Sequence, residues 1–152
     1  MSGVPPGLDL TDPETTVGLL ALLSALFLLR VVGHMLVVLR APAWLPPMDQ
    51  WYSGVLPYPH LLATQVVLLA AMAAVMLAML RGISWALGPH PAAGSVLLII
   101  AYGYAGSMAP RYVIRMARRP DERWLGGCIP IVFHVVLATW LFVLGSHWRP
   151  GG

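Results

Sequence analysis

The chain contains no lysine, one cysteine and few acidic residues. Its nine basic residues are all arginine, and charged residues of both signs make up only 10% of the 152. A lone cysteine, Cys128, forms neither an intramolecular disulfide nor a thiolate zinc site. The motifs of metalloproteases, P-loop nucleotide binders, dinucleotide-binding folds and dithiol enzymes are also missing. We therefore expect neither a conventional hydrolase nor a dehydrogenase.

Apolar residues, by contrast, are abundant. They make up 59% of the chain, and the mean hydropathy is +0.77, whereas soluble domains hold about 45–50% apolar residues. The net charge of +3 comes from arginines gathered around one loop, without the aromatic platform of a nucleic-acid site. We expect residues 1–152 to form a single membrane domain that meets a lipid bilayer and binds no nucleic acid.

Four apolar stretches approach or exceed the roughly 20 residues that cross a bilayer. The sequence therefore predicts an all-α integral membrane protein, a bundle of four transmembrane helices spanning about 13–40, 60–80, 92–118 and 130–147. Thr11 and Glu14 have capping-box spacing at the first helix, although Asp12 is an alternative cap with Pro13 as the first helical residue.

The connection 41–59 between the first two helices contains five prolines and four aromatic rings. Proline forbids a long helix here, and aromatic rings favour the headgroup region of a membrane. We expect a stiff interfacial connector, with a lid as the alternative.

Arginine positions predict the sidedness, because cytoplasmic loops carry an excess of Lys and Arg. With alternating helices, one side of the membrane carries only Arg81 and Arg149. The other side carries six arginines, which are Arg40, Arg111, Arg115, Arg118, Arg119 and Arg123. We expect a multi-pass protein of a bacterial inner membrane with both termini outside the cytoplasm.

Small residues at four-residue spacing mark candidate helix-packing seams. One seam lies on the second helix (Ala70, Ala74, Ala78) and another on the third (Ala101, Ala105, Ala109, beside Gly103 and Ser107). We expect them to hold the bundle together, with a homo-oligomer or partner interface as the alternative. Met72, Met76 and Met79 share a face of the second helix, and we expect them to fill the core.

Polar residues inside the spans converge on the end assigned to the cytoplasm. Counted from Arg40, His34 lies about 9 Å deep and Arg30 about 15 Å deep, near the midplane. An arginine at a helix centre costs about 2.5–3.5 kcal/mol on insertion scales, and the apolar cores of the helices contain no Asp or Glu. Arg30 therefore snorkels, bonds backbone carbonyls, reaches Asp49 in the connection, or binds an anion from outside the chain.

The last alternative defines a hypothetical site for an anionic, lipid-like ligand. Arg30 and His34 share a helix face because they are four residues apart, and arginine binds phosphate and carboxylate bidentately. The candidate ligand-binding residues are Arg30, His34, Gln65, Arg111 and Arg115.

Binding of a cofactor, b-type haem, is a further alternative to binding of an anionic ligand. His34 and His134 lie at similar depths on the first and fourth helices, so they could be the two axial ligands of one haem in the bundle core. Neighbouring arginines would then pair with its propionates.

Four functions remain open from the sequence. The leading expectation is an accessory or assembly subunit of a larger membrane complex, with a membrane protein partner or a second copy. The alternatives are a binder or carrier of an anionic lipid-like ligand, a b-haem electron-transfer protein, and a membrane enzyme of a kind that the sequence does not identify.

Overall fold

The structure is a computed structural model that describes residues 9–10, 12–51, 57–118 and 129–149, without the side chains of residues 49 and 50. Within these residues the chain is all-helical. The helices are α1 (Pro13–Arg40), α2 (Met48–Trp51), α3 (Tyr58–Leu80), α4 (Ser84–Leu87), α5 (Pro91–Arg118) and α6 (Ile129–Trp148). The four long ones are long and apolar enough to span a membrane. The chain is thus a multi-pass, four-helix membrane bundle, as predicted.

The start of helix α1 shows one of the two N-capping patterns that the sequence predicts. The Asp12 carboxylate accepts a hydrogen bond from the Thr15 backbone N–H (2.8 Å), and Pro13 is the first helical residue. Hydrogen bonds from Thr15 hold the pKa of the Asp12 carboxyl below its ordinary value of 3.8. Thr11, the other candidate cap, lies outside the described residues. Asp12 therefore satisfies one of the free N–H groups at this helix end.

Helices α1 and α6 form the centre of the bundle. Helix α1 packs against both α3 and α6, and α6 also packs against α5. The buried core comes mainly from these contacts and includes Leu20, Phe27, Val31, Met72, Met79, Trp140, Val143 and Leu144. At its middle, Ser24 Oγ accepts a hydrogen bond from Trp140 Nε1 (3.1 Å) and lies 3.2 Å from Met76 Sδ. One hydroxyl thereby ties α1 to both α3 and α6.

Helices α5 and α6 approach most closely at two glycines near one end of the bundle. A Cβ on Gly94 would lie 2.8 Å from the Gly145 carbonyl oxygen, and one on Gly145 would lie 3.1 Å from the Gly94 carbonyl oxygen. The His90 N–H donates to the Trp148 carbonyl (2.8 Å), and Trp148 Nε1 donates to the Ala86 carbonyl (2.9 Å). We name this the Trp148 end. The opposite end, where α1 stops at Arg40, is the arginine-rich end.

The small-residue seams differ from expectation. Ala78 and Ala101 are buried, but Ala70, Ala74, Ala105 and Ala109 are exposed, as are Gly103 and Ser107. Helix α3 instead turns its methionine face inward, since Met72 and Met79 belong to the buried core. The methionines thus fill the core as predicted, whereas most of the small residues face outward.

Candidate functional site

Arg30 faces the bundle core. Its side chain is only 5% exposed, and its guanidinium carbon lies 5.7 Å from the centre of the Phe133 ring on α6. Within the described part of the chain, its Nε is buried without a hydrogen-bond partner. Arg30 therefore does not snorkel to the surface. Asp49, the acidic partner considered from sequence, has its side chain outside the described part of the chain.

His34 lies one turn nearer the arginine-rich end and is enclosed by aromatic rings. The side chain is 1% exposed, and neither ring nitrogen has a hydrogen-bond partner among the described residues. Its ring stacks on Trp51 of α2 (6.3 Å between centroids, 12° between planes) and meets Tyr58 edge-on at 5.1 Å. A buried polar group without a partner costs about 1–3 kcal/mol, and the two ring contacts offset part of that cost.

Trp51 reaches His34 because the neighbouring residue of α1 is glycine. A Cβ on Gly33 would lie 2.7 Å from the Trp51 ring, so a larger residue there would displace the indole. Trp51 Nε1 donates to the Pro46 carbonyl (3.0 Å), and the residue is 8% exposed. Trp51 therefore packs against α1, whereas Trp44 in the same connection is 76% exposed. The position of the connection at the membrane interface stays a prediction.

Gln65 is the buried polar residue of α3. The Tyr58–His34 and Met76–Ser24 contacts show that α1 and α3 run antiparallel. Gln65 lies between these two contacts along α3, as Arg30 does along α1. The Gln65 side chain is 3% exposed, and neither its carboxamide oxygen nor its nitrogen has a hydrogen-bond partner among the described residues.

Helices α5 and α6 bring a tyrosine and a histidine to the same level. The His134 and Tyr104 rings stack at 5.3 Å between centroids, and both residues are half-buried. His134 Nδ1 bonds the Pro130 carbonyl, so Nδ1 carries the proton and Nε2 is an acceptor. The charge of Arg30 is close enough to act on both rings.

Each long helix thus contributes a polar side chain to the same part of the bundle, which we name the polar layer and which consists of Arg30, Gln65, Tyr104 and His134. His34 lies next to the layer, about 6 Å nearer the arginine-rich end. Among the described residues, no three His, Cys, Asp or Glu side chains come together as a metal site would require. The layer is positively charged, because arginine stays protonated in proteins.

The remaining predicted residues lie nearer the arginine-rich end. The charge of Arg111 acts on Tyr104 and His134, whereas Arg115 lies eleven residues beyond Tyr104, or about 16 Å along the helix. His34 and His134 lie on directly packed helices, but each ring contacts its own aromatic partner. Ligation of one haem by both histidines stays a prediction.

Sequence reasoning missed Trp51 and Tyr104 as parts of this site. Tyr104 carries a usable signal, because a tyrosine inside a span must find a partner for its hydroxyl. The sequence around Trp51 carries no such signal, since the position of Trp51 depends on Gly33 in another helix.

Comparison with protein families, with characterised proteins and with solved structures finds no match to this chain. Its function is therefore inferred from the polar layer itself.

Proposed function

We propose that this protein binds the anionic group of a ligand at Arg30, within the polar layer. The observation that carries the proposal is a buried guanidinium whose Nε has no hydrogen-bond partner and which no carboxylate approaches among the described side chains. A buried charge without a partner is strongly destabilising. An anionic ligand supplies the missing charge and accepts the unused hydrogen bond.

Two neighbouring side chains can form hydrogen bonds to the other polar atoms of such a headgroup. Gln65 offers one acceptor and two donor hydrogens, and His34 offers one of each when neutral. Phosphate and carboxylate groups both present several acceptor oxygens to such donors. A phosphate or carboxylate headgroup therefore accepts hydrogen bonds from the donor groups of Arg30, Gln65 and His34, for which the described residues supply no acceptor.

The first test is to extract the protein from its membrane in mild detergent and measure bound lipid by mass spectrometry. We expect about one anionic molecule per chain in the wild type and its loss in Arg30→Gln. The matched control is Arg40→Gln, because Arg40 is an exposed arginine at the end of the same helix. Equal occupancy in Arg30→Gln and the wild type would contradict the proposal.

A second measurement uses an added ligand, dodecyl phosphate, with uncharged dodecyl maltoside as the reference. A ligand that binds only the folded state at 100 times its Kd stabilises the protein by about 2.7 kcal/mol. We expect dodecyl phosphate to raise the Tm of the wild type and of Arg40→Gln, but not of Arg30→Gln. Absence of any shift in the wild type would also count against the site.

The second candidate function is an accessory or assembly subunit, and one observation favours it. Most of the small residues on α3 and α5 face outward, and a Cβ on Gly103 or Gly106 would meet no atom within 4 Å. In lipid, small exposed residues allow another helix to approach closely. A membrane protein partner or a second copy of this chain would find such a surface on both flanking helices.

Replacing Gly103 and Gly106 by leucine tests this second function. We expect loss of a co-purifying protein, or of a dimer in crosslinking, while the anion-dependent Tm shift remains. Unchanged association in the double variant would contradict a partner on this face of α5.

We also propose a bacterial inner membrane as the location, with the arginine-rich end in the cytoplasm. The support is the excess of six arginines over two between the two sides of the bundle. Alkaline phosphatase fused after Arg149 should be active, since that reporter folds only outside the cytoplasm. An inactive fusion with normal expression would reverse the orientation.

A further inference from the structure

Building on the proposed function, we infer that Trp51 closes the polar layer to water at the arginine-rich end. The ligand is therefore an amphiphile dissolved in the bilayer, and it reaches Arg30 from the side. Trp51 is the residue that selects this class over water-soluble anions of the same headgroup chemistry.

The first support is the fit of Trp51 between the end of the bundle and His34. The indole lies on Gly33 and stacks on the His34 ring, and α2 contacts both α1 and α6. Behind it, His34 is 1% exposed and both of its ring nitrogens are inaccessible. A dissolved anion that approaches His34 between α1 and α2 therefore meets the Trp51 indole before it meets the ring nitrogens of His34.

The cavity at this end of α1 is also apolar. It has a volume of about 360 Å³ and lies between the end of α1 and the connection, and its lining includes Val37, Leu45 and Met48 together with alanines and prolines. Among the described residues, no charged or hydrogen-bonding side chain lines it. Because moving a charged group into such surroundings is costly, the cavity is no path for a hydrophilic anion.

The polar layer is less enclosed on its bilayer side. Tyr104 and His134 are half-buried, whereas Arg30, His34 and Gln65 are almost fully buried. In the described residues, α3 and α5 flank the central pair and form no extended interface with each other. An amphiphile already in the bilayer can therefore present its headgroup at Tyr104 and His134 while its chain stays in lipid.

The test compares two probes with the same headgroup in phosphatidylcholine nanodiscs. One is radiolabelled dodecyl phosphate, which dissolves in the bilayer, and the other is radiolabelled ethyl phosphate, which stays in water. The rate of binding is measured for the wild type, Trp51→Ala and Trp51→Phe. Trp44→Ala is the matched control, because it removes an exposed tryptophan from the same connection.

We expect the wild type, Trp51→Phe and Trp44→Ala to bind dodecyl phosphate and to take up ethyl phosphate only slowly. Trp51→Ala should bind ethyl phosphate at least about tenfold faster, with little change for dodecyl phosphate. Gly33→Leu gives an independent check that keeps the indole, because even a Cβ at residue 33 would lie 2.7 Å from the Trp51 ring and a leucine side chain occupies the space of the ring itself. It should behave like Trp51→Ala.

Two results would overturn the inference. Rapid uptake of ethyl phosphate by the wild type would show that the arginine-rich end is open. Dodecyl phosphate binding that accelerates as much as ethyl phosphate binding in Trp51→Ala would show that both probes enter at this end. Failure of the proposed function looks different, because dodecyl phosphate would then bind neither the wild type nor any variant.

Discussion

Removing the charge of Arg30 should stabilise the ligand-free protein while abolishing anion binding. Arg30→Met keeps the apolar stem and deletes the guanidinium. On insertion scales an arginine at a helix centre costs about 2.5–3.5 kcal/mol. The cation–π contact with Phe133 offsets about 0.5–2 kcal/mol of that cost. The difference predicts that Arg30→Met raises the free energy of unfolding of delipidated protein by about 0.5–3 kcal/mol.

The assay is equilibrium unfolding in mixed micelles, with and without dodecyl phosphate. Without the anion the variant should be the more stable protein. With saturating anion the free energy of unfolding of the wild type should rise by about 2.7 kcal/mol, and that of the variant should not change. The difference in stability between the two proteins should therefore shrink or reverse. If Arg30→Met is instead less stable than the wild type without ligand, the guanidinium has a structural partner and the reasoning fails.

Three further predictions concern the helix contacts and the helix cap that hold the bundle together. Gly94→Ala places a Cβ 2.8 Å from the Gly145 carbonyl oxygen of α6 and should lower the free energy of unfolding by about 1–3 kcal/mol, whereas Gly103→Ala, in open space, should leave it nearly unchanged. Ser24→Ala leaves Trp140 Nε1 without its acceptor and should cost about 1–3 kcal/mol in the same assay; a neutral result would mean that water replaces the hydroxyl. Because the pKa of Asp12 is lowered by Thr15, its stabilising effect should be complete above its ordinary pKa and lost as the pH falls through the lowered one. Thermal unfolding in acid should show this loss in the wild type and not in Asp12→Asn.

Helix positions and the depth of the polar residues are predictable from the sequence. Hydropathy and length predict all four spans to within two residues at each end, because a bilayer requires a long apolar helix whatever surrounds it. Depth follows from the same count at 1.5 Å per residue. Arg30, His34 and Gln65 therefore come out of the sequence as candidates, and the structure finds all three buried.

Helix rotation and pairing are not predictable in this way. Lipid tails are as apolar as leucine, so an apolar helix carries little signal for which side meets protein. The alanines of α3 illustrate this, since Ala70 and Ala74 face outward while the methionine face packs inward. The burial of Trp51 is equally hidden, because it depends on Gly33 and on the fold of the whole connection.

The close contact of Gly94 with Gly145 has a mechanical consequence. Two backbones in contact, tied nearby by the His90–Trp148 hydrogen bond, act as a pivot at the Trp148 end. Tyr104 lies ten residues along α5 from this pivot, a lever arm of roughly 15 Å. Swinging α5 by about 10° would carry Tyr104 roughly 2.6 Å away from α6, while the glycine contact stays in place. A tilt of α5 about this contact therefore widens the space between Tyr104 and α6, where a headgroup has to pass, and leaves the Trp148 end closed.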